Sequence, residues 1–307
     1  MTALLYDVRG LSVGYPRLPD VITDLDLALP AGGFTAIVGP NGCGKSTLLL
    51  ALARLLRPAR GDVRLHEVAL ASYGARDLAR TLAFLPQQPL APDGIRVRDL
   101  VLRGRQPYRR FLQPATAADH AAVDAALAAT GTHDLADAEL TELSGGQRQR
   151  VWIAMTLAQD TDVVLLDEPT SFLDIAHQVD VLDACADLVR TGRSVVAVLH
   201  DLGLAARYAD HLVVMRAGRI LAAGAPSDVV TPDLIDDVFG LRCRVLPDPE
   251  TGTPLVVPRR HRPAGARDAD PHPAGQGQLR RHSPASDTSA DGPTDIPDDR
   301  RADHAFI

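Results

Sequence analysis

An α/β fold is what this sequence predicts, with a largely parallel sheet, an antiparallel β layer ahead of it and a helical insertion within it. Three observations carry the prediction. Short apolar runs suited to strands buried on both faces recur at Phe34 to Val38, Val163 to Leu166 and Val195 to Leu199. Segments with helical spacing separate them, as in βαβ architecture. Each run also ends in residues able to do chemistry: a glycine-rich loop after Val38, Asp167-Glu168 after Leu166, and His200 after Leu199. The carboxyl edge of a parallel sheet is where ligands of such folds bind.

In chain order, Leu4 to Tyr15 and Leu25 to Leu29 alternate apolar and polar residues, which reads as antiparallel strands. Tyr15 closes the first of them, either as a cap on a hydrophobic edge or as a binding residue. Gly39-Pro-Asn-Gly-Cys-Gly-Lys-Ser-Thr47 then fits the phosphate-loop pattern G-x-x-x-x-G-K-[ST], with Gly39, Gly44, Lys45 and Ser46 in its fixed places. Leu48, Leu49, Leu52, Leu55 and Leu56 follow at helical spacing until Pro58. A strand, a glycine-rich loop and a helix N-terminus aim successive N–H groups and the positive end of a helix dipole at one anion. Lys45 can reach the β- and γ-phosphates, and the Ser46 hydroxyl is placed for Mg²⁺. Lys45 is also the only lysine in a chain whose other basic side chains are arginine. It stands where a slim ammonium is needed and a planar fork would not fit.

Val63 to Leu65 and Val68 to Leu70 read as a hairpin, and Leu82 to Leu85 as a strand closed by Pro86, with Gln87 and Gln88 at its mouth. From about Pro89 to Gln159 the spacing is helical, through Val97, Leu100 and Val101 and then Val123, Ala126 and Leu127, with Gly131 as a stop. Between these, Arg103 to Gln113 is basic and aromatic, and composition favours a solvated loop over a docking surface. Leu143-Ser-Gly-Gly-Gln147 opens another helix, so Ser144 and its glycines offer a second backbone anion site. Trp152 reads as packing. Ile175 to Val189 is a helix, His211 to Met215 and Arg219 to Ala223 are strands, and Ser227 to Val230 and Asp233 to Phe239 are short helices. A last hairpin runs from Arg242 to Val257 through Asp248-Pro-Glu-Thr-Gly252. In Arg259 to Ile307 eight Arg balance eight Asp among Pro, Ser and His, so this stretch is expected to be a disordered, solvated tail.

The totals narrow the function. No apolar run approaches a membrane span, and no basic-then-apolar segment opens the sequence. Cys43, Cys185 and Cys243 lack metal-ligand spacing and suggest a reducing compartment. A net charge of −7 gives no support for nucleic acid as the main partner.

Over residues 1–258 the chain resembles the ATP-binding subunits of ABC transporters. The phosphate loop, Gln87, Leu143 to Gln147, Asp167-Glu168, Ser171-Phe-Leu-Asp174 and His200 stand in that family's order and approximate spacing. The resemblance implies a P-loop NTPase core (1–258) with an antiparallel β subdomain and a helical subdomain at about 89–159. It also implies an ATP and Mg²⁺ site to which each motif contributes. Tyr15 would stack on adenine, while Gly39, Pro40, Asn41, Gly42, Cys43, Gly44, Lys45, Ser46 and Thr47 would hold the phosphates. Ser46, Gln87 and Asp167 would serve the metal. Glu168 would activate the attacking water, Gln87 would sense it, and His200 would contact the γ-phosphate. Ser144, Gly145, Gly146 and Gln147 would complete the ATP site of a second copy, with Asp174 communicating across the pair.

The other branches of the family fit less well. About a hundred residues separate phosphate loop and signature, too few for the long coiled coil of DNA-repair members, and there is one cassette and no fused membrane domain. An importer subunit at the cytoplasmic face of the membrane is left, working with two permease subunits and, indirectly, an extracytoplasmic binding protein. Leu85 to Leu100, Gly104 to Tyr108 and above all Cys243 to Pro258 resemble the subgroup serving ferric siderophores, with haem or cobalamin as alternatives. A regulatory ATP-binding module without a permease is the rival of another class.

Overall fold

The computed structural model describes residues 3–259 apart from 18, 111, 112 and 172. The expectation for the tail therefore lies outside the described residues, Arg259 excepted.

Two long strands, β1 (Leu4–Gly14) and β2 (Asp20–Pro30), pair antiparallel and join β4 (Arg60–Leu65) and β5 (Val68–Ala69) in a sheet of order β2-β1-β4-β5. β2 starts five residues earlier than the alternation predicts. The register slips between Leu11 and Val13, where Asp24 takes a left-handed φ of 53° and its N–H donates to the Ser12 hydroxyl. Such a bulge shifts the period-2 pattern by one residue and hides the first half of the strand.

The main sheet has the order β10-β9-β3-β8-β7-β6. It is built from β3 (Phe34–Val38), β6 (Leu82–Leu85), β7 (Val163–Asp167), β8 (Ser194–Val198), β9 (His211–Arg216) and β10 (Arg219–Gly224), parallel except where β10 turns back on β9. β3, β7 and β8 are buried along their whole length. Their side chains alternate between two cores. Phe34, Ala36, Val164, Leu166, Val195 and Ala197 share one core with the helices α5 (Gly145–Ala158), α6 (Ile175–Arg190) and α7 (Leu202–Tyr208). Ile37, Leu165, Val196 and Val213 share the other with α1 (Lys45–Leu52) and the antiparallel sheet. Tyr6 pins α1 there, fully buried and donating its hydroxyl to the Leu52 carbonyl at 3.1 Å.

Two helices escaped the sequence reading: α2 (Ala75–Thr81) and α7. Each is seven residues long, and only Leu78 of α2 and Ala205 and Ala206 of α7 are buried, too few to print a helical period. α8 (Pro226–Val229) and α9 (Pro232–Phe239) lead to the hairpin of β11 (Cys243–Pro247) and β12 (Pro254–Pro258).

Between β6 and β7 the chain leaves the sheet for α3 (Val97–Leu102), α4 (Ala117–Ala129) and α5. Here the structure corrects the reading of Arg103 to Gln113 as a solvated loop. Arg105 is buried; its Nε donates to Asp119 Oδ1 at 3.2 Å and its Nη1 to the Ala158 carbonyl at 2.9 Å. The Tyr108 ring lies 4.1 Å from the guanidinium carbon of Arg105. Gly104 makes the approach possible, because a Cβ there would stand 2.2 Å from the Met155 carbonyl oxygen of α5. From outside, Arg76 and Arg80 of α2 hold the Pro107 carbonyl. Burial pushes the Asp119 carboxyl up, but bonds from the Thr116 N–H and hydroxyl, then from Arg105, outweigh it and hold the group below the usual carboxylate range. Its stabilisation is therefore complete above the unfolded value near 3.8 and is lost as pH falls through the lower folded value. Arg105→Ala leaves the buried carboxylate short of its cation, and about 3 kcal/mol of stability should go with it. Denaturant unfolding checks this.

Candidate nucleotide site

The site is assembled at the carboxyl edge of the main sheet, where β3, β6, β7 and β8 each hand the chain to a loop. After β3 the phosphate loop runs through Gly39 (φ 155°), Gly42 (φ 74°) and Gly44 (φ 105°), the last of which is the N-cap of α1. Lys45 is buried at the first position of that helix. Its ammonium donates to the carbonyls of Gly39 (2.9 Å) and Pro40 (3.0 Å), closing the loop into a ring. Pro40 has no N–H to offer an anion, and its carbonyl serves Lys45 instead. The Cys43 side chain turns into the core beside α1, and burial pushes its thiol up, so only its backbone belongs to the loop.

One residue along, the Ser46 hydroxyl donates to Asp167 Oδ1 at 2.9 Å. Burial raises the Asp167 carboxyl, the Ser46 bond works against it, and the neighbouring Glu168 charge adds to the rise. Glu168 follows in the left-handed region (φ 54°), which swings its side chain away from the strand axis and across the loop. Two hydrogen-bond donors and an imidazole meet there. His200 Nε2 lies 2.5 Å from Oε1, while the Gln87 amide (2.6 Å) and the Ser171 hydroxyl (3.1 Å) both reach Oε2. Gln87 comes from the loop after β6 and His200 from the loop after β8, so three strands converge on one carboxylate.

Lys45, Ser46, Gln87, Glu168 and His200 line a cleft of about 600 Å³ with Asn41, Gly42, Gly44, Thr47 and Tyr15, which is 39% exposed with its hydroxyl 3.4 Å from Thr47 Oγ1; Gly39, Pro40, Cys43, Asp167 and Ser171 are not in its lining. Val21 of β2 also lines it, a residue that nothing in the sequence marks. The cleft does not include Ser144, Gly145, Gly146, Gln147 or Asp174. Ser144 is exposed and caps α5 in a reciprocal box with Gln147, the hydroxyl accepting at 3.2 Å and the Gln147 side chain accepting at 2.9 Å. Asp174 likewise caps α6, accepting from the His177 N–H at 3.0 Å. Ser171 was read only as part of the stretch up to Asp174; its contact with Glu168 depends on how the turn folds, and no spacing rule signals it.

The family model described as ABC transporter matches residues 22–171. The achromobactin transport ATP-binding protein of Dickeya dadantii (strain 3937) is 51% identical over 81% of this chain and 93% of its own. The ferric enterobactin transport ATP-binding protein of Escherichia coli (strain K12) is 48% identical over 84% and 96%. Among solved structures, an inward-facing conformation of a metal-chelate type ABC transporter superposes with a TM-score of 0.71 at 29% identity, covering 84% of this chain and 98% of that one. With the phosphate loop and Glu168 converging on one cleft, these likenesses establish that the chain belongs to the ABC transporter family, among its ATP-binding proteins.

Proposed function

We propose that this chain hydrolyses ATP to energise the uptake of iron(III)-siderophore complexes through a separate permease. The observation that carries the enzymatic half is the meeting in one cleft of Lys45, Ser46, Glu168, Gln87 and His200, with Asp167 bonded to Ser46 beside it. The transport half rests on relatives near 50% identity that are named for siderophores.

In this reading Lys45 and the N–H groups of the loop bind the phosphates, and Tyr15 meets the base. The Ser46 hydroxyl and Asp167 carboxylate are adjacent hard oxygen donors, which suits Mg²⁺, a cation that keeps several waters and takes few protein ligands. Held by Ser46 and Asp167, such an ion would supply positive charge to offset that of the phosphates. Glu168 orients and deprotonates the attacking water, Gln87 senses it, and His200 faces the γ-phosphate; positioning and charge supply most of the rate. Ser144 to Gln147 and Asp174, all outside the cleft and with Ser144, Gly145 and Asp174 exposed, complete the site of a second copy, so two chains enclose two ATP molecules. Residues 1–258 form the ATP-binding domain, and its helical part, about 89–159, meets the permease. No helix among the described residues is long and apolar enough to cross a membrane. Two permease subunits hold the pair at the cytoplasmic face, and an extracytoplasmic binding protein delivers the chelate.

Deleting the gene is expected to slow growth when iron comes only as a siderophore chelate, with rescue by free iron salts and loss of labelled ferric-siderophore uptake. Normal ferric-siderophore uptake beside defective haem or cobalamin uptake would reassign the substrate. Normal uptake of all three would point to an ATPase without a permease.

A further inference from the structure

The three partners of Glu168 are not equivalent. Gln87 and His200 arrive on loops from β6 and β8, line the cleft, and under the proposed function turn toward the nucleotide. Ser171 belongs to the same turn as Glu168. After β7, Pro169 removes one N–H, the Ser171 N–H donates to the Glu168 carbonyl at 3.2 Å, and the Ser171 hydroxyl donates to Oε2 at 3.1 Å. Side chain and main chain are thus tied in one short loop around a residue of positive φ. Ser171 itself does not line the cleft.

We propose that Ser171 is a positioning residue for the glutamate. Its hydroxyl holds Oε2 and fixes the carboxylate rotamer when Gln87 and His200 leave, so that Oε1 stays aimed at the attacking water. The tie moves with Glu168 because only two residues separate them, whereas the other two partners are carried by independent segments. This inference rests on the proposed ATPase reading.

Steady-state kinetics on the full chain test it. Ser171→Ala is expected to lower kcat roughly tenfold, the scale of one hydrogen bond to a charged group, with KM for ATP unchanged. Ser171→Thr keeps the hydroxyl and should restore kcat. Ser171→Cys, close in size with a weak S–H donor, should behave like Ser171→Ala, which separates the donor from the packing. In a Glu168→Gln background Ser171→Ala should change single-turnover rates little, because the carboxylate it positions is gone. Wild-type kcat for Ser171→Ala, or an equal loss in both backgrounds, overturns the inference alone. No ATP turnover by the unaltered protein overturns the functional reading and this inference with it.

Discussion

Glu168→Gln is expected to cut ATP turnover at least about a hundredfold, the scale of a positioned base, while ATP binding stays intact. The amide is nearly the same shape but cannot take a proton from water, and the groups that hold the phosphates, Lys45 and the loop backbone, are untouched. With binding preserved and release by hydrolysis removed, the two copies should remain closed around ATP and elute as a dimer in gel filtration. Appreciable residual turnover, or a monomer in the presence of ATP, would remove Glu168 from the role of base.

Gly39→Ala is expected to remove both nucleotide binding and a large part of the stability. Gly39 takes φ 155°, and a Cβ there would lie 2.1 Å from the Met215 carbonyl oxygen of β9 and 2.9 Å from Cys43 Sγ. The first of these atoms is backbone in a buried strand, so the loop must move instead, and with it the carbonyl that accepts from Lys45. Strain and overpacking together should cost about 3 kcal/mol. For a domain of this size that corresponds to roughly 6 to 12 °C in Tm. Calorimetry with and without ATP measures both effects. A variant that melts and binds like the wild type would mean that the loop has slack the packing does not suggest.

What the sequence made legible follows from how local each signal is. The buried strands, the phosphate loop and Asp167-Glu168 announce themselves because composition and spacing are fixed within a few residues, and β3, β6 and β7 fall within a residue of where they were read. α2 and α7 were missed because a helix with one or two buried side chains carries no period. Arg105 was misread because a buried arginine and a solvated one look alike until Asp119, fourteen residues away, is brought beside it. The contacts of Glu168 with Gln87 and His200 span separations of 81 and 32 residues, so only the sheet order makes neighbours of them. The placing of Ser144 and Asp174 outside the cleft has no signal in a single chain's sequence; only the family resemblance assigned them to a second copy.

The burial of Lys45 has a practical side. A protease specific for lysine has one bond to cut in all 307 residues, between Lys45 and Ser46 in the first turn of α1, behind a side chain only 5% exposed. Cleavage there reports openings that expose the phosphate loop, local or global, because no other lysine competes for the enzyme. By the same count, reagents that seek side-chain amines have one target, and fixing the protein to a surface through them means holding it by its own phosphate clamp.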